Sequence, residues 1–186
     1  MTLERVKFTF VALFFAVLAL VGLSAGADYG LPCDETTEQV ILQENMLEYA
    51  LRLFGEDSAP AQWYLSRGIT PISQSIERDH GQCAYYPAAA LLPLQEEAPD
   101  RVMVLWHAYT WLWFMLGVAA VYGFCREAKL SRPVSCGGML LLYLCPRFFA
   151  EGHYNSKDMV LLTLFLCTLW LGLRFLKPVS YTHLTL

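Results

Sequence analysis

The sequence predicts an all-α integral membrane protein. It would have about four transmembrane helices and a large extracytoplasmic first loop containing surface helices. Three observations predict this. The 186 residues are 56% hydrophobic, with a mean hydropathy of +0.39, more apolar than a soluble domain usually is. Three long stretches carry no charged residue: Phe8 to Ala27, Val102 to Cys125 and Met159 to Leu173. Thirteen of the 17 acidic residues fall between Asp28 and Asp100, against only Arg52, Arg67 and Arg78.

The first span, at about 8–27, is 20 residues long. At about 1.5 Å per residue it covers about 30 Å, the thickness of a bilayer core. The second, at 102–125, has 24 residues. The last, at 159–176, is lengthened by Arg174 and Lys177, which can snorkel. Between them Pro133 to Pro146 is an uncharged run of only 14 residues, a short, tilted or partly inserted helix. Counting it as a span places three basic clusters on one side: Arg5 and Lys7; Arg126, Lys129 and Arg132; Arg174 and Lys177. The positive-inside rule makes that side, and the N-terminus, cytoplasmic in a multi-pass protein of the inner or plasma membrane. Segments 28–100 and 147–158 then share the opposite side. The first apolar stretch has a rival reading. Ala25-Gly26-Ala27 after a basic start resembles a signal-peptide cleavage site.

Residues 28–100 are the one sizeable aqueous part. Gly30 and Pro32 turn the chain, and Thr36 or Thr37 can cap the helix that follows. From Glu38 to Phe54 the period is helical, with Val40, Ile41, Met46, Leu47, Leu51 and Phe54 along one broad face. Glu38, Glu44, Glu48 and Arg52 fall largely elsewhere, and Gly55 ends the helix. Prolines and glycines then argue for irregular chain, with a further surface helix over 88–94. The six cysteines form no CxxC pair and no zinc spacing. Cys33 and Cys83 can form a disulfide if this segment is extracytoplasmic. No basic patch points to nucleic acid.

Three constellations carry chemical content. Asp34 and Glu35 follow the first span in a turn, where one carboxylate can act as a base while the other binds a metal or orients a partner. Solvated acids flanking a helix N-terminus are the plainer reading. "RDHGQ" at 78–82 sets Arg78, Asp79 and His80 before Gly81, either a polar-substrate contact or a charged surface turn. "PRFFAEGHYNSKDM" at 146–159 compresses Arg147, Glu151, His153, Asn155, Lys157 and Asp158 between two apolar runs. A plain loop needs only a turn. If Asn155 or Ser156 caps the last span, His153 and Lys157 flank an anion-attracting helix N-terminus. Lys157 supplies a point charge and Arg147 a fork for phosphate. Glu151 and Asp158 supply oxygen ligands for a divalent metal ion, with His153 as a nitrogen ligand.

Taken in order, these features are a first span, "DYGLPCDE", an amphipathic helix, "RDHG", a long span, a basic turn, a short span and "CPRFFAEGHYNSKDM". The series resembles the N-terminal part of the GT-C membrane glycosyltransferases, in particular bacterial members of the ArnT and protein O-mannosyltransferase group. The resemblance covers roughly residues 5–177 and implies a partial GT-C fold over 1–178. It implies transfer of a sugar, with inversion, from a polyprenyl-phosphate donor to an extracytoplasmic glycan, lipid or protein acceptor. Asp34 or Glu35, more so Asp34, would activate the acceptor hydroxyl. Pro146, Arg147, Asn155, Lys157 and Asp158 match the family's second external loop, and Glu151 would supply the acid some members use with a metal. The family has many more spans, so a fragment of this length is expected to be inactive alone. The tail "VSYTHLTL" at 179–186 resembles translated sequencing adaptor and is read as an artefact. Two other readings compete: part of a transporter or channel, since intramembrane charges can mark a substrate path, and a non-catalytic membrane assembly protein.

Overall fold

A computed structural model describes residues 3–80 and 83–176. The tail at 179–186, Lys177, and Gly81 and Gln82 of "RDHGQ" lie outside the described residues. The described chain is helical, without strands: α1 (Leu3–Ala25), α2 (Glu35–Phe54), α3 (Ala59–Leu65), α4 (Pro99–Glu127), α5 (Arg132–Tyr143), α6 (Pro146–Tyr154) and α7 (Ser156–Leu176), with short 3₁₀ stretches between. Three helices are long and apolar enough to cross a membrane: those at Arg5–Asp28, Pro99–Glu127 and Ser156–Leu176. The α5 and α6 helices together would make a fourth, bent by 65°. The chain divides into two units, residues 1–29 with 107–186, and residues 30–106.

In the first unit α1 runs antiparallel to α4. Trp111 Nε1 donates to the Ala19 carbonyl at 3.0 Å, and His107 Nδ1 lies 3.3 Å from the Gly26 carbonyl. Further toward the start of α1, Lys7 shares a cavity with Arg126. Gly22 permits this approach, because a Cβ there would overlap the Trp111 ring. Small residues at close helix crossings are the usual device in a bilayer. The α7 helix runs parallel to α4: Gly117 opposes Thr163, and Gly123 opposes the Trp170 indole. The Thr163 hydroxyl donates to the Trp113 carbonyl at 2.7 Å. The Tyr143 hydroxyl ties α5 to α1 through the Leu18 carbonyl at 2.9 Å. Leu18, Trp111, Phe114, Met115, Val118, Met139, Tyr143 and Met159 form the core. Outside it, Phe8, Phe10, Leu13 and Leu20 on α1 and Leu161 and Phe165 on α7 present apolar side chains outward, as lipid contact requires.

The short third span is therefore half of a longer bent element. The α5 helix stops at Tyr143, and Pro146, which has no N–H, starts α6. The segment expected to be a loop, 147–158, is mostly this nine-residue helix. Two of the basic clusters, represented by Lys7 and by Arg126 and Arg132, meet at one end of the unit. Since α7 runs parallel to α4, Arg174 in its last turn falls at the same end.

In the second unit α2 departs from its expected face. Glu35, Glu38, Gln39, Glu44 and Asn45 are buried along with Ile41, Leu42, Leu47 and Ala50, whereas Val40 and Phe54 are exposed. The helix starts at Glu35, so Thr36 and Thr37 are inside it; Asp34 takes the N-cap position without a side-chain cap bond. Gly55 ends it as expected, with φ +84 and its N–H on the Leu51 carbonyl. Part of this polar set bonds in a chain: Gln39 donates to Glu35 at 3.3 Å, Gln95 donates to Gln39, and Gln43 donates to Gln95 at 3.3 Å, while one carboxylate oxygen each of Glu38 (Oε1) and Glu44 (Oε2) is buried with no hydrogen bond among the described residues. Leu47, Ala50 and Ala61 join α2 to α3, which Ser58 caps. Arg67 stacks 3.9 Å over Trp63 and pairs with Glu96 at 2.9 Å. The expected helix at 88–94 is a longer 3₁₀ stretch, Cys83–Leu94, with Pro87 and Pro93 inside. Cys33 and Cys83 are both exposed free thiols.

Candidate functional site

The densest polar geometry in the first unit is the turn from α6 into α7. Arg147 and Glu151 lie one helical turn apart and pair at 2.8 Å, the guanidinium 79% exposed and the carboxylate 14%. The Asn155 amide nitrogen reaches two carboxylates at once, Glu151 at 3.5 Å and Asp158 at 3.0 Å. Its oxygen accepts the Asp158 backbone N–H at 3.0 Å. Asn155 thus caps α7, as the sequence suggested, and Asp158 lies in the first turn where a carboxylate favours the helix dipole. Lys157 is exposed on the same turn. Two carboxylates therefore share one amide, and Arg147 pairs with one of them.

His153 behaves differently from its neighbours. It is completely buried, with Nδ1 2.9 Å from the Phe149 carbonyl and Nε2 2.9 Å from the Gly22 carbonyl. Tyr29 stacks on one face at 4.3 Å and Trp111 on the other at 4.4 Å. A neutral imidazole can donate to one of these carbonyls only, whereas the imidazolium donates to both. In either form both ring nitrogens face carbonyl oxygens. In this arrangement no ring lone pair points to an open site, so His153 is engaged as a hydrogen-bonded, stacked ring and not as the nitrogen ligand expected from the sequence. Glu151, already held by Arg147 and Asn155, is engaged too. Among the described residues no group of three or more His, Cys, Asp or Glu side chains could hold a metal ion. No step below is routed through a metal.

Sequence reasoning missed Tyr29 and Trp111, the two walls of the His153 slot. An aromatic just past the first span and a tryptophan inside the second were the available signals. Burial, with Tyr154 beside it, pushes the Tyr29 phenol up from its ordinary value of 10.0.

The other candidates lie in the second unit. Asp34 is exposed, with the Cys33 thiol 3.5 Å from its carboxylate. Glu35 is only 2% exposed. The adjacent acids thus point apart, as expected of neighbours in a turn. Arg78, Asp79 and His80 form an exposed turn, in which His80 Nδ1 pairs with Glu77 at 2.6 Å. That is the charged-turn reading of "RDHGQ".

No family model, curated protein or solved structure matches the chain.

Proposed function

We propose that this chain is part of a membrane glycosyltransferase of the GT-C kind, which moves a sugar from a polyprenyl-phosphate carrier to an acceptor hydroxyl. The observation that carries the reading is the turn at 147–158. It consists of α6, the second half of the bent pair, and the first turn of α7, and it carries Arg147, Asn155 and Lys157 with the carboxylates Glu151 and Asp158. The Arg147 guanidinium uses Nε on Glu151 and, at 79% exposure, has further N–H groups to offer a phosphate. Lys157 adds a point charge in the first turn of α7. Phosphate is already a good leaving group, so stabilising its charge is the main requirement.

In the reaction the bond between the anomeric carbon and the carrier phosphate oxygen breaks. The acceptor oxygen bonds to that carbon from the opposite face, giving inversion. Its proton passes to a carboxylate, for which Asp34, exposed at the start of α2, is the choice. Glu35, buried and bonded to Gln39, positions this turn. On this reading the basic ends of the helices are cytoplasmic, in an inner or plasma membrane, and residues 30–106 lie outside.

The test replaces Asp34 by Asn and Asp158 by Asn, separately, in the complete gene product, and measures transfer from polyprenyl-phosphate sugar. We expect a loss of about a hundredfold or more for Asp34→Asn, the range of general-base contributions. Near-normal transfer by both variants would sink the assignment. The bent α5–α6 element also suits a transporter, where broken helices line substrate paths. Flux of a solute without bond cleavage would favour that reading.

A further inference from the structure

At the end of the first unit away from the His153 slot lies a cavity of about 620 Å³, within the size range of small-ligand sites. Three cationic side chains line it, each from a different part of the chain: Lys7 on α1, Arg126 in the last turn of α4 and Arg132 at the start of α5. Arg126 and Arg132 are half-buried, and the Arg126 guanidinium is anchored by donating to the Leu130 carbonyl. Most of the remaining wall is apolar, including Phe10, Pro133 and Cys136, with the Ser131 hydroxyl residue between the two arginines. The wall continues onto the outward apolar face of α1, where Phe8 is 73% and Phe10 74% exposed.

A soluble phosphate would need the cations but not the apolar wall, and an acyl chain would need the wall but not the cations. A phospholipid with an anionic headgroup needs both. We propose that this cavity is a binding site for one anionic phospholipid. Its phosphate would sit among Lys7, Arg126 and Arg132, and its acyl chains would run along Phe10 and the α1 face. Basic pockets between membrane helices are suited to such headgroups. The site is independent of the transfer chemistry proposed above and shares none of its residues.

The test embeds the chain in nanodiscs of mixed phosphatidylcholine and phosphatidylglycerol and counts retained lipids by native mass spectrometry. Wild type is expected to keep one phosphatidylglycerol in preference to phosphatidylcholine. The double variant Arg126→Gln/Arg132→Gln is expected to lose about twenty-five-fold in that retention, at about fivefold per cation. Cys136→Trp fills the cavity without changing charge and should lose it as well. Arg174→Gln removes an equivalent charge outside the cavity and should change retention less than twofold. Far-UV circular dichroism identifies any variant that fails to fold, and the charge pair decides if Cys136→Trp does not. The proposal is overturned if Arg174→Gln loses as much as the double variant, or if both lipids are kept equally. Displacement by excess inorganic phosphate would also overturn it, by assigning the cavity to a free anion.

Discussion

At the scale of single residues, His153 shows how an ionisable group enters an apolar core. The sequence placed it among polar neighbours and suggested a ligand. In the structure its ring is a rivet: one face on Tyr29, the other on Trp111, one nitrogen on its own helix and one on α1. Replacing His153 by Leu keeps apolar bulk and removes the bond that the neutral ring donates to one of the two carbonyls. At about 0.5–1.5 kcal/mol per bond, the expected cost of that loss is about 0.5–1.5 kcal/mol. Denaturant unfolding in detergent would measure it, and unchanged stability would show that neither the bond nor the stacking holds the fold. Asn155 was legible in the sequence because a cap is a local rule and needs only its own helix. The Arg147–Glu151 pair obeys an equally local spacing. The partners of His153 are 131 and 4 residues away, and no local rule reaches the first.

At the scale of elements, the periodicity of α2 gave its length but not its face. Hydrophobic period assumes that polar residues seek water. Here glutamines and acids seek one another, and Gln95 from a distant turn completes the chain that keeps Gln39 buried. Glu48 at the outer edge of α2 accepts from the Ser73 hydroxyl at 2.7 Å and pairs with Arg52. The Ser73 hydroxyl foremost, then Arg52, holds its carboxyl below the ordinary value of 4.5. A carboxyl lowered in the folded state stabilises fully above its unfolded value and loses that contribution as pH falls through the folded one. Acidification below about pH 4.5 should therefore weaken the α2 region, and Ser73→Ala should flatten that acid limb. Thermal melts across this pH range would check both. In the hairpin between α4 and α5, Lys129 holds φ +63, a conformation that costs an L-residue about 1 kcal/mol or more. Lys129→Gly should raise stability by about that amount, read as a higher unfolding midpoint; a fall would mean that the lysine side chain outweighs the backbone strain.

At the scale of the whole molecule, the long apolar helices were legible because they need only length and composition. Three helices long and apolar enough to cross a membrane lie close to their expected positions, and the doubtful fourth is half of a bent pair. Pro146 gave the break, but its continuation as α6 was hidden by polar residues that line one side of a helix instead of filling a loop. The common end of the basic clusters, argued from charge alone, agrees with the packing of α1, α4 and α5 around one cavity. The way α1 is held has a consequence in time. Its final turns receive Trp111, Tyr143 and His153 from partners 92, 125 and 131 residues later. During synthesis at about 5–20 residues per second, α1 must wait about 5–18 s for the first of them, Trp111. For that interval the glycine notch at Gly22 has no indole in it, and α1 is held by its own hydropathy alone. His153 is the last of the three to reach α1.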